Sequence, residues 1–102
     1  MIILYVTHPT EEHAASILKS LIQEQLVACG NIYPIRSIYP WEGKLLDEKE
    51  YVTIIKSSEL KQEAIINRIS ELHEYEIPCI LTITADANTQ YLEWINKCLG
   101  II

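Results

Sequence analysis

The side chains best equipped for chemistry fall mostly in two stretches of this sequence. One runs from Ala28 to Lys44, holds Cys29, and closes on Tyr39-Pro40-Trp41-Glu42-Gly43-Lys44. The other is His73-Glu74-Tyr75-Glu76, an imidazole at the end of a helical pattern with carboxylates beside it. A protonated His73 would favour the negative end of the helix dipole, and Glu74 and Glu76 lie close enough in sequence to orient or charge it. Three roles stay open for it: a helix-terminal residue in solvent, a metal or anion ligand, or a general acid–base group. The last role requires a nucleophile, and none stands in a recognisable relation to it.

Cys29, at the junction of a helix and a strand, reads either as a small core residue or as a thiolate ligand for Cu(I) or zinc. Cys79 and Cys98 read as structural thiols, with Cys79 retained as a metal candidate because it lies close in sequence to His73. The candidate metal ligands are therefore His73, Cys29 and Cys79, and the ion is Cu or Zn. His8 and His13 are five apart across a helix start, poor spacing for sharing an ion, and read as surface residues. Trp41 carries a large indole beside the charges of Glu42 and Lys44. It fits a pocket between subunits or the underside of a hairpin.

Composition narrows the classes. The 102 residues suit one domain, 1–102, and 49% apolar content can build a core without metal or disulfide. A net charge of −6 with only eight scattered basic residues disfavours nucleic-acid binding. Three cysteines without a CxxC pair give no disulfide framework, and no apolar run approaches the ~20 residues of a membrane span. The opening Met1-Ile2-Ile3-Leu4-Tyr5-Val6 lacks a basic leader and reads as a strand, so the expected location is the cytoplasm. Signatures such as GxSxG, HExxH and GxGxxG are missing.

The elements that must position these residues alternate in period. Met1 to Thr7 is a strand. Thr10 caps a helix reaching about Val27, with Ala14, Ile17, Leu18, Leu21, Ile22 and Leu26 inward. The chain is then extended to Trp41 and again from Tyr51 to Lys56. Of two possible hairpin turns, Glu42-Gly43 and Asp47-Glu48-Lys49, the later is favoured, with Gly43 as a bulge. The first arm then runs from Ile32 to Leu45, up to ~45 Å in a domain roughly 30 Å across. It must bend or overhang, and an overhang offers unpaired backbone to a neighbour. Ser58 caps a helix with Leu60, Ala64, Ile65, Ile69 and Leu72 inward. Ile77 to Thr84 is a strand, and Asp86 to Thr89 cap a terminal helix. The order β-α-β-β-α-β-α is an α+β, ferredoxin-like split βαβ plan with both long helices on one sheet face. The other face is apolar too, which points to cover by further copies of the chain.

Leu26-Val27-Ala28-Cys29-Gly30-Asn31-Ile32, Ser37-Ile38-Tyr39-Pro40-Trp41-Glu42-Gly43-Lys44, Ile54-Ile55-Lys56-Ser57, Leu72-His73-Glu74-Tyr75-Glu76-Ile77-Pro78 and Tyr91-Leu92-Glu93-Trp94-Ile95 occur in this order along the chain. Together they resemble the CutA divalent-cation tolerance family over essentially the whole length. The resemblance implies a PII-like homotrimer in which hairpins extend neighbouring sheets. It also implies a role in tolerance of copper and other divalent cations without an established enzymatic reaction. The site it implies is an intersubunit cleft lined at Trp41, Glu42, Lys44, Lys56, His73, Tyr75 and Glu76. Glu74 stands where the family motif has Pro, Cys79 where an acidic residue is common, and Gly30 where an apolar residue is usual. Two other readings remain: an interaction trimer that binds a partner protein, and a small hydrolase using His73 and Glu76.

Overall fold

A computed structural model describes residues 1–101. The elements follow the expected order: β1 (Ile2–His8), α1 (Glu11–Gln23), β2 (Cys29–Trp41), β3 (Lys44–Ser57), a 3-10 turn (Glu59–Lys61), α2 (Gln62–Leu72), β4 (Ile80–Thr84) and α3 (Thr89–Cys98). The strands form one antiparallel sheet in the order β2-β3-β1-β4. This is the ferredoxin-like arrangement that the alternating periods predict.

The core follows from the two-residue period of β1. Ile2, Leu4, Val6 and His8 are buried on the helix face, while Ile3, Tyr5 and Thr7 are half-buried on the other. Ile17, Leu18 and Leu21 of α1 and Ile65 and Ile69 of α2 close over that first row together with Ile55 of β3. A smaller cluster of Ala28, Ile95 and Leu99 fastens α3. Leu60 does not join the stripe expected of it. It lies in the 3-10 turn and is exposed, because Ser58 caps that turn through the Leu60 amide rather than the start of a continuous helix.

Three boundaries differ from the sequence expectation for identifiable reasons. Helix α1 stops at Gln23, short of Val27, because Gln25 enters the left-handed region (φ 58°). Its amide bonds to Ile22 and that of Leu26 reaches back to Leu21, a Schellman closure. The hairpin turns at Glu42-Gly43, not at Asp47-Glu48-Lys49, and Gly43 is a turn residue rather than a bulge. Trp41 pairs with Lys44, and φ values of 50° and 78° at the two loop residues make the I′ turn whose twist suits a two-residue hairpin. Strand β4 begins at Ile80, three residues after Ile77, since Pro78 has no amide to give the ladder.

The overhang is present. Only Tyr51–Ser57 of β3 pairs with β1, so Lys44–Glu50 and their β2 partners project beyond the core. The molecule accordingly measures 48 × 25 × 21 Å. The projecting half is pinned across its strands by the Arg36–Asp47 fork (2.6 and 2.8 Å) and by Tyr39 donating to Glu48 (2.8 Å).

Candidate functional site

A cleft of about 600 Å³ opens on the sheet face opposite α1 and α2, where the projecting hairpin leaves the core. Register places Glu50 and Glu48 of β3 on this face with Val52, and Tyr39 and Trp41 of β2 alongside them. The loop after α2 forms the opposite wall through Tyr75, Glu76 and Ile77. Glu50 is the deepest charge, only 5% exposed, and accepts a hydrogen bond from the Tyr75 hydroxyl. Burial raises the Tyr75 phenol well above the ordinary tyrosine value, with that hydrogen bond the next cause. Burial first, then Glu50, likewise raises the Cys79 thiol at the cleft edge. The lining thus combines carboxylates with aromatic faces, chemistry suited to a cationic or hydrogen-bond-donating ligand.

A second group lies behind the loop, on the helix face of the sheet. His8, His13 and His73 each present a ring nitrogen within 4.8 Å of one from each of the others. His8 is fully buried, contrary to its reading as a surface residue, because it continues the Ile2-Leu4-Val6 row. His13 is half-buried and stands with its Nδ1 3.0 Å from that of His8, so their sequence spacing does not keep them apart. The proline-containing bend at Pro9 folds α1 back over the end of β1, which brings the rings together. His8 Nε2 meets Thr53 Oγ1 at 2.9 Å. His73 Nε2 lies 2.8 Å from the Thr7 carbonyl, and its Nδ1 lies 3.1 Å from the Tyr75 amide. A carbonyl can only accept and an amide only donate, so neutral His73 carries its proton on Nε2. Burial pushes His8 down to about 3, helped by His13 and His73. Burial and then His73 also lower His13, partly offset by Glu74.

The expected site residues divide accordingly. Trp41, Tyr75, Glu76 and Cys79 line the cleft. Glu42 occupies the hairpin turn and Lys44 begins the returning strand, next to the cleft but outside its lining. Lys56 lies on the same sheet face, roughly 20 Å along β3 from Glu50, and donates to Asn31. His73 supports the loop from behind and belongs with the other histidines. Cys29 meets the Tyr91 hydroxyl at 3.2 Å, and neither it nor Cys79 joins the histidine group. Sequence reasoning missed Glu50, although a carboxylate two residues before Val52 on an apolar strand is itself a signal. It missed His8 by counting spacing rather than continuing the strand's period, and His13 because its approach to His8 depends on how α1 packs.

Comparison with known proteins decides the family. The family model for CutA1 divalent ion tolerance protein matches residues 2–98. The chain belongs to this family. It is 43% identical over 96 residues to the divalent-cation tolerance protein CutA of Pyrococcus horikoshii, covering 93% of this chain and 94% of that one. The crystal structure of CutA1 from the same organism superposes with a TM-score of 0.93 at 40% identity, over 96% of this chain and 97% of the other. The PII-like protein CutA from Nostoc sp. PCC 7120 superposes with a TM-score of 0.91 at 33% identity over the whole of both chains. The ferredoxin-like fold read from the order of elements, and its PII-like character implied by the CutA-like motifs, are thereby established. Within that fold, Trp41, Tyr75 and Glu76 come from two motifs far apart in sequence and meet at one cleft.

Proposed function

We propose that the protein is a homotrimeric cytoplasmic binding or signalling protein in divalent-cation tolerance, copper included, and that it carries no enzymatic reaction of its own. The observation that carries the reading is the cleft at the base of the overhanging hairpin, in a chain of the CutA family. It is only partly enclosed by one chain, and apolar surface surrounds it. On the same sheet face, Leu81 and Ile83 of edge strand β4 are about half exposed, as is Tyr33 of β2. A hairpin reaching beyond its own core supplies strand edges for neighbouring sheets, and closure by three copies would turn the open cleft into an intersubunit one. Three free thiols agree with a reducing compartment.

The catalytic alternative has little to use. Both nitrogens of His73 are already engaged, and no serine, threonine or cysteine side chain contacts them among the described residues. A partner protein remains a possible occupant of the cleft and is separated by the test. The test is copper survival of a strain lacking its own CutA, complemented by this chain or by the Trp41→Ala and Glu50→Gln variants. Rescue by the wild type and loss of rescue by folded variants supports the reading. Equal rescue by both variants removes the cleft from it, and capture of a protein that Trp41→Ala no longer holds favours the partner alternative.

A further inference from the structure

The histidine group is not explained by the cleft. We propose that His8, His13 and His73 form a binding site within one chain for a divalent ion of the zinc, cobalt or copper type.

Imidazole is the usual ligand for such ions, and three imidazoles with an open fourth position make an accessible zinc centre. In a tetrahedral site with Zn–N bonds of about 2.0–2.1 Å, ligand nitrogens stand roughly 3.3–3.4 Å apart. His8 and His13 already hold Nδ1 atoms 3.0 Å apart, and all three rings keep a nitrogen within 4.8 Å of the others. Side-chain adjustments of an ångström or so complete the geometry.

The surroundings are those a metal site needs. Thr53 Oγ1 meets the far nitrogen of His8, and the Thr7 carbonyl accepts from Nε2 of His73. Such outer partners fix ring orientation and leave the opposite nitrogen toward the ion. On His73 that opposite nitrogen is Nδ1, and an ion there displaces only the Tyr75 amide contact. His13 Nε2 is buried with no hydrogen-bond partner, an unsatisfied atom that needs an explanation in a native fold. Either ring nitrogen of His13 is thus available: Nδ1 faces that of His8, and Nε2 has no partner to give up.

An entry route is also present. A recess of about 410 Å³ reaches His13 from solvent between the start of α1 and the end of α2, with Glu12 and Glu74 among its walls. Carboxylates at the mouth attract cations, and Glu74 or water can fill the fourth position.

All three ligands come from one chain, so the inference goes beyond the cleft reading and stands or falls apart from the trimer. The test is titration of the purified, chelator-treated protein with Zn²⁺ by calorimetry and with Co²⁺ by visible absorption. The expected result is one ion per chain, a Co²⁺ spectrum of low-coordinate nitrogen ligation, and a raised Tm in the loaded protein. His13→Ala and His73→Gln are each expected to weaken binding at least about tenfold, and Thr53→Val, which only positions His8, by ~10–100-fold. His13 is half-buried at a helix start, so its variant keeps the fold, which circular dichroism checks. Cys29→Ser and Cys79→Ser are expected to bind as the wild type does. The proposal is overturned if folded wild type takes up neither ion stoichiometrically. It is equally overturned if affinity survives His13→Ala, or if binding is lost with Cys79→Ser instead.

Discussion

Glu50 and Tyr75 show how a buried charge organises one side of the cleft. A carboxylate with so little exposure needs a donor, and the Tyr75 hydroxyl is that donor. Tyr75→Phe strands the carboxylate and is expected to cost about 1–3 kcal/mol in urea unfolding, while Glu50→Gln with Tyr75→Phe costs less than the sum of the two changes. The Cys29–Tyr91 contact makes a second prediction. This contact, with burial behind it, pushes the Tyr91 phenol up from 10.0 to about 12. A group whose folded pKa is raised stabilises the fold fully below its unfolded value, so this contribution is lost as pH rises from about 10 to 12. Absorbance titration at alkaline pH should find Tyr91 ionising late, as Tyr75 also does, and Cys29→Ala should reduce the late-ionising amplitude by one tyrosine. A late-ionising amplitude unchanged by Cys29→Ala would separate the Tyr91 shift from this contact. At this scale the sequence was partly legible: Trp41, Tyr75 and Glu76 could be singled out by their motifs. His8 was hidden because a histidine at the end of an apolar row looks like the polar residue that ends it, and His13 because only the packing of α1 against the end of β1 brings the two rings together.

At the level of elements, the hairpin is the informative case. Its first arm and the Tyr51–Lys56 half of its second are apolar and β-branched enough to be seen directly, but its turn was not. Asp47-Glu48-Lys49 is as polar as any loop, yet those residues are strand because Arg36 and Tyr39 cross to Asp47 and Glu48. Glu42 hid the true turn, since glutamate is an uncommon residue at positive φ. Gly43→Ala places a Cβ at φ 78° and should destabilise by roughly 1–2 kcal/mol, whereas Glu42→Asn should stabilise slightly. The C-terminus of α1 makes the same point. Gln25 does at φ 58° what Gly100 does at φ 70° after α3, so the sequence carried no glycine to mark the stop. Gln25→Gly is expected to raise stability by about 0.5–1 kcal/mol in thermal unfolding. Gly30 has a different reason: a Cβ there would come within 2.7 Å of the buried Leu18 side chain, so the usual apolar residue has no room.

At the scale of the whole molecule, a 102-residue chain that reaches 48 Å along one axis leaves much of its sheet without a cover of its own. The helices close one face, and the row of Leu81 and Ile83 on β4 remains half exposed at the edge. Burial of such apolar area on association contributes at roughly 25 cal/mol per Å², which would favour the interface of the proposed trimer at this edge. Leu81→Glu with Ile83→Glu would introduce charges into that interface and is expected to give single chains that keep their circular dichroism. The order of elements and the overhang were legible because hydrophobic period and strand length are properties of one chain. The cleft's full walls were not, since in the proposed trimer they include surfaces of neighbouring copies. Sedimentation equilibrium of the purified protein tests that dependence most directly. The expected result is a single species of three times the 11.7 kDa chain mass, unchanged on dilution into the low micromolar range. A species of one chain mass under the same conditions would contradict it.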